Sequence, residues 1–207
     1  INGHASIDGS LRVEAAEALD AACLEVSGNL NVHAGADLAF HGCRNQHKDD
    51  DDDGDGLGGG LSVFGDLENR GRLVFQGGHA SYQGGAVYVG GTFLQRQGSV
   101  EAVNCSAQDG GAIRSEGDVR VEGGSLKISD ATAKLSGGGI STRGGIGIIN
   151  AKVTISNAKA GAQGGGLSSA KDMNITRSNV TISTAVAGQY GGAVYSYGFL
   201  HIAEGNI

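Results

Sequence analysis

The sequence predicts an all-β fold, a parallel β-helix of seven or eight coils, and three observations carry that prediction. A Gly-Gly-small-aliphatic tetrad recurs at steps of 26, 26, 27, 27 and 27 residues. Apolar residues two apart stand in columns in phase with it, as strands with one inward face require. The 207 residues include 39 glycines and no proline, against a usual Gly share of about 7%. So regular a period marks a solenoid, whose units bury their apolar sides only by stacking on one another. Collagen is excluded because it needs Gly at every third position and abundant Pro. A flexible linker is excluded because 39% of the residues are apolar, many of them β-branched.

Residues 1–57 carry the pattern in degenerate form. Gly9-Ser10-Leu11-Arg12-Val13 and Gly28-Asn29-Leu30-Asn31-Val32, the latter followed by Leu38 and Phe40, echo the later Gly117-Asp118-Val119-Arg120-Val121 followed by Leu126 and Ile128. The Ala-rich stretch from Glu14 to Leu24 fits a turn or two of helix or a strand-poor first coil equally well. About ten residues are then added to the period, and the added segment, placed at about 44–57, holds the run Asp49, Asp50, Asp51, Asp52, Asp53 and Asp55.

Residues 58–207 form the regular repeats. The tetrads begin with the pairs Gly58-Gly59, Gly84-Gly85, Gly110-Gly111, Gly137-Gly138, Gly164-Gly165 and Gly191-Gly192, expected as structural turns that need positive φ and close backbone approach. Nine residues after each first Gly stand Leu67, Phe93, Val119, Ile146, Met173 and Leu200. Two further on come Asn69, Gln95, Val121, Ile148, Ile175 and Ile202. Sixteen after the first Gly stand Val74, Val100, Leu126, Val153 and Val180. Each repeat thus reads as three strands, such as Ala112-Ile113-Arg114-Ser115, Asp118-Val119-Arg120-Val121 and Ser125-Leu126-Lys127-Ile128. Without Pro, every backbone N–H can join the ladder between coils.

Phe75-Gln76-Gly77-Gly78 leading to Gly84-Gly85-Ala86-Val87, and Val103-Asn104-Cys105-Ser106 leading to Gly110-Gly111-Ala112-Ile113, resemble the GGA[ILV] and FxxN repeats of the chlamydial polymorphic outer membrane proteins. The resemblance covers about 58–207, with GGA[ILV] matched strictly three times and the FxxN half degraded. It implies a right-handed β-helix of the pectin-lyase-like kind, displayed at a cell surface or outside the cell and used in adhesion.

The formal charge of −7 falls to −1 without the six clustered aspartates, so the body carries no basic stripe for nucleic acid or for a membrane surface. No apolar run reaches the 18 or so residues of a spanning helix. The chain begins at Ile1 rather than Met and ends at Ile207 inside a coil. The expectation is therefore a processed product or a piece of a longer chain, whose partners are further coils or other protein subunits.

Candidate chemistry is sparse, and each feature has a plainer alternative. The aspartate run offers oxygen ligands of the kind Ca²⁺ takes, or is a solvated acidic loop; no other cofactor is expected. Asn104, Asn174 and Asn179 head Asn-x-Ser/Thr triplets open to glycosylation in a eukaryotic secretory setting. Cys23 and Cys43, about one coil apart, suit a disulfide or two buried thiols, and Cys105 is solitary. Tyr88 and Tyr195 share a repeat position with Arg114, Ser141 and Ser168 between them and Tyr197 nearby, a face able to stack on sugars or an ordinary mixed surface. Asp118 and Asp172 share a column interrupted by Gly145, and no nucleophile, base and orienting group can be assembled from spacing. The expectation is a non-catalytic extracellular or surface module with a structural or adhesive role. The alternatives are a structural subunit of a larger complex or filament, and a carbohydrate-binding or polysaccharide-cleaving protein.

Overall fold

The computed structural model describes residues 1–14, 17–18, 21–45 and 56–204, with the backbone alone described at 17–18. Among them there is no helix, and every strand pairs in parallel with its counterpart in the next coil, giving a β-solenoid of about seven turns. Glu14 to Leu24 contributes strand residues at Ser10–Glu14, Glu17–Ala18 and Leu24–Val26, which favours the strand-poor coil over the helical turn.

One coil shows the plan. Ile113–Ser115, Val119–Val121, Ser125–Ser129 and Thr132–Ala133 follow one another around the axis, and their equivalents build four sheets, called here sheets 1 to 4 in that order. Sheet 2 has eight strands and the others seven each. A coil therefore has four strands where the sequence predicts three. The additional one is only two residues long, too short to display an alternation, but it leaves another trace: Ala80, Ala107, Ala133, Ala160 and Ala187 stand in register in sheet 4.

The interior is filled by the expected columns. In sheet 2, Leu67, Phe93, Val119, Ile146 and Met173 are buried, paired one directly above the next. In sheet 3 one coil differs from the expectation. Leu73, not Val74, pairs with Val100, and Phe75 pairs with Ala102. Leu73 and Phe75 point into the core, where Phe75 stacks on Phe40 with ring centroids 5.1 Å apart. The reason is a corner one residue shorter in that coil, and a slip of one residue exchanges the two faces of a strand.

Where polar groups enter this interior, most are matched to backbone. The last inward position of sheet 1 runs Val63, Val89, Ser115, Thr142, Ser169, Ser196. Ser115 Oγ donates to the Gly91 carbonyl at 2.7 Å, Thr142 Oγ1 to that of Gly117, and Ser169 Oγ to that of Lys171 at 2.7 Å. Hydroxyls thereby replace methyls in the column without leaving a buried donor unmet.

The corners explain the glycines. Between sheets 4 and 1 the first Gly of each pair has positive φ, 63° at Gly110. The second is fixed by proximity instead: a Cβ on Gly111 would stand 2.2 Å from the Gly138 carbonyl oxygen of the next coil. The corner between sheets 3 and 4 also turns through positive φ, but at Gly42, Gly77, Asn104, Asp130, Asn157 and Thr184, mostly the glycines and Asx residues that tolerate the left-handed region.

The added segment also has clear borders. Arg44 and Asn45 belong to sheet 4, paired with His79 and Ala80, and Leu57 already bridges to Gln83. Asp49 to Asp53 and Asp55 of the added segment lie outside the described residues.

Candidate functional site

The outer face of sheet 1 is recessed, unlike an exposed sheet surface. Its outward residues stand in one register row, Ser62, Tyr88, Arg114, Ser141, Ser168 and Tyr195. Tyr88 is only 8% exposed and Arg114 only 6%. Both were expected on an open surface, but the corners on either side stand above them as rims. One rim includes Asp109, Ser136, Gln163 and Tyr190; the other includes Phe64, Glu116, Arg143, Ala170 and Tyr197. Between Asp109 and Tyr197 the trough encloses about 400 Å³.

Its floor is held in place by charge-assisted bonds. Arg114 Nε donates to Glu116 Oε1 at 3.0 Å and its Nη1 to Ser141 Oγ at 2.8 Å. Arg143 Nη1 approaches the other oxygen of Glu116 at 2.7 Å. Asp109 Oδ1 accepts the Ser136 N–H at 3.0 Å. Two cations and two carboxylates thus share the trough, and their charges cancel. Aromatic pairs lie toward both ends of the row: Phe64 meets Tyr88 edge-on at 6.2 Å, and Tyr190 lies 6.3 Å from Tyr195. Burial pushes the Tyr88 hydroxyl above its ordinary pKa, so it stays a neutral donor at physiological pH.

Asp118 and Asp172, the aspartates of the shared column, each hold a backbone group. Asp118 Oδ1 accepts the Gly145 N–H at 3.0 Å, and Asp172 Oδ1 accepts the Phe199 N–H at 2.8 Å. Asp66 Oδ1 does the same for Thr92 at 2.7 Å. Each caps a backbone group of the next coil at the corner between sheets 1 and 2. The Gly145 N–H above all, then Arg120, holds the Asp118 carboxyl below the usual range. The notch of about 240 Å³ beside them, above Gly147 and between Arg120 and Asn174, has both aspartates in its wall but already bonded.

A second pairing lies on sheet 4, where His79 Nδ1 and Ser106 Oγ are 2.8 Å apart. Burial first, then the charges of Arg44 and Lys134, lowers the His79 pKa. Among the described residues, the charged groups acting on the ring are cations, and no carboxylate is placed to orient the pair as in a hydrolytic triad.

The remaining candidates are placed as follows. Asn104, Asn174 and Asn179 are exposed. The sulfurs of Cys23 and Cys43 are bonded, with Cα atoms 6.0 Å apart. Cys105 is buried, and burial pushes its thiol up to about 12. On sheet 3, Thr154 and Thr181 stand in one register column with Glu101 and Lys127, themselves joined by a 2.8 Å ion pair. No group of three or more His, Cys, Asp or Glu suited to a metal occurs among the described residues. No helix there is long and apolar enough to cross a membrane.

The tyrosines and floor residues of the trough were visible from the 27-residue spacing, but its rims were not. Asp109, Glu116, Arg143 and Gln163 sit in corners of unlike composition, and only their constant offset from the tetrads marks them as one feature. Compared with known proteins, the chain matches no family model, no curated protein and no solved structure.

Proposed function

We propose that this chain is a non-catalytic scaffold of an extracellular or cell-surface protein, with a structural and adhesive role exercised through the recessed face of sheet 1. The observation that carries the reading is the contrast between the two kinds of polar residue. Asp66, Asp118 and Asp172 are tied to backbone N–H groups, whereas the trough gathers aromatic and hydrogen-bonding groups along four coil steps from Tyr88 to Tyr195. The first arrangement supports a rigid stack, the second contact with a partner. The Cys23–Cys43 bond fits an oxidising compartment. The resemblance of the Gly-Gly-Ala repeats to the chlamydial surface proteins points the same way.

The test has two parts. Protease shaving and antibody labelling of intact source material should reach this chain without lysis, and the purified protein should adhere to that surface. Incubation with soluble polysaccharides should release no reducing or unsaturated ends above a heat-treated control. Turnover of any of them would replace the adhesive reading with the enzymatic one.

A further inference from the structure

We infer that the trough over sheet 1 binds a linear, uncharged oligosaccharide lying along the solenoid axis; this rests on the adhesive reading above and names its ligand. Three features of the trough select that ligand class.

The first is chemical. A sugar ring offers hydroxyls around its edge and C–H groups on its faces. It is matched by planar hydrogen-bonding side chains together with aromatic surfaces that carry a polar tip. The floor supplies the Ser168 hydroxyl beside the bonded Arg114–Ser141 pair, the rims supply Gln163 and Ser136, and Tyr195 and Tyr197 stand at one end. Tyr197 stands on the rim beside Tyr195.

The second is electrostatic. Glu116 pairs with both Arg114 and Arg143, and Asp109, which bonds a backbone N–H, supplies the second negative charge that brings the trough to zero. An anionic chain would approach the exposed Arg143 against the charges of Glu116 and Asp109, and a basic one would approach those carboxylates against Arg114 and Arg143. A neutral ligand exchanges only hydrogen bonds with water and costs neither.

The third is geometric. The floor repeats at the coil spacing of about 4.8 Å, so Arg114, Ser141, Ser168 and Tyr195 present themselves in a straight row about 14 Å long. A ligand with a repeating backbone meets such a row better than a compact one. Affinity should rise with oligomer length until the row is covered and then level off.

The experiment is calorimetric titration of the full chain with neutral hexose and N-acetylhexosamine oligosaccharides from monomer to hexamer, with oligogalacturonates as the anionic comparison and an extended uncharged peptide as the protein-ligand comparison. Tyr197→Ala and Gln163→Ala, at positions that are not buried, test the site, and Thr181→Ala on sheet 3 is the control. The expected result is length-dependent binding of a neutral series, weakened about tenfold by Tyr197→Ala and unchanged by Thr181→Ala. Preference for oligogalacturonate or for the peptide overturns the inference, as does neutral-sugar binding that both trough variants leave intact. If no sugar binds while the protein still adheres to its native surface, the ligand assignment falls and the adhesive reading stands. If adhesion is absent as well, both fall.

Discussion

Asp118 shows what one side chain contributes where two coils meet. One oxygen accepts the Gly145 N–H, the other the Arg120 guanidinium at 2.9 Å, and the bonds favour the ionised carboxylate. A carboxyl whose folded pKa is depressed adds stability in full above its unfolded value, near 3.9, and loses it as pH falls through the folded value. Asp118→Ala should therefore cost about 1 kcal/mol at pH 7, the site being partly screened by solvent. Asp118→Asn, which keeps the acceptor, should cost less. Denaturant titration at neutral pH and again at about pH 3 should show the gap between wild type and the alanine variant narrowing on acidification; a gap independent of pH would contradict the role of the ionised form. The alignment of Asp118 with Asp172 was legible in the sequence. Their task was not, because the N–H that each satisfies lies 27 residues further along the chain.

At the scale of a strand and its corner, glycine acts in two separable ways. Gly111 is required by the next coil, whose Gly138 carbonyl would lie 2.2 Å from any Cβ, whereas Gly147 lies on the outer face of sheet 2 with nothing nearer than Arg120 Cγ at 4.0 Å. Gly111→Ala should lose about 3 kcal/mol or fail to fold, since relief demands separating two hydrogen-bonded coils. Gly147→Ala should be neutral or slightly stabilising because it restricts the unfolded chain. Thermal melts of the two variants side by side give the comparison, and equal losses would remove the proximity argument. The same scale shows why part of the fold was readable. Strands of three to five residues announce themselves by alternation, so sheets 1 to 3 could be placed from apolar spacing. Strands of two residues carry no period, and sheet 4 was legible only as a column of alanines. A fixed offset from the tetrad points to Val74 because it assumes equal corners, and the coil of Leu73 and Phe75 has a shorter one.

Across the whole molecule, each coil touches only its neighbours, so stability is nearly a sum of local contributions. The Cys23–Cys43 bond, closing a separation of 20 residues, should add about 3 kcal/mol, confined to the coils it joins. Hydrogen exchange before and after reduction should show amides from Leu24 to Phe40 losing protection while those from Val119 to Ile155 keep theirs. A uniform loss along the stack would mean that the solenoid opens as one unit.

The corner between sheets 4 and 1 has a consequence of a different kind. The chain leaves sheet 4 at Asn45 and rejoins the stack at Leu57, while the equivalent passages in later coils, such as Ala107 to Asp109, are far shorter. On both sides of the longer passage the ladder keeps its register. Chain length at this corner is therefore decoupled from the fold, and closing a longer loop costs only a slowly growing entropy. The corner is a splice point beside the rim of the trough, where an inherited or grafted segment can change what the surface displays without disturbing the architecture that carries it.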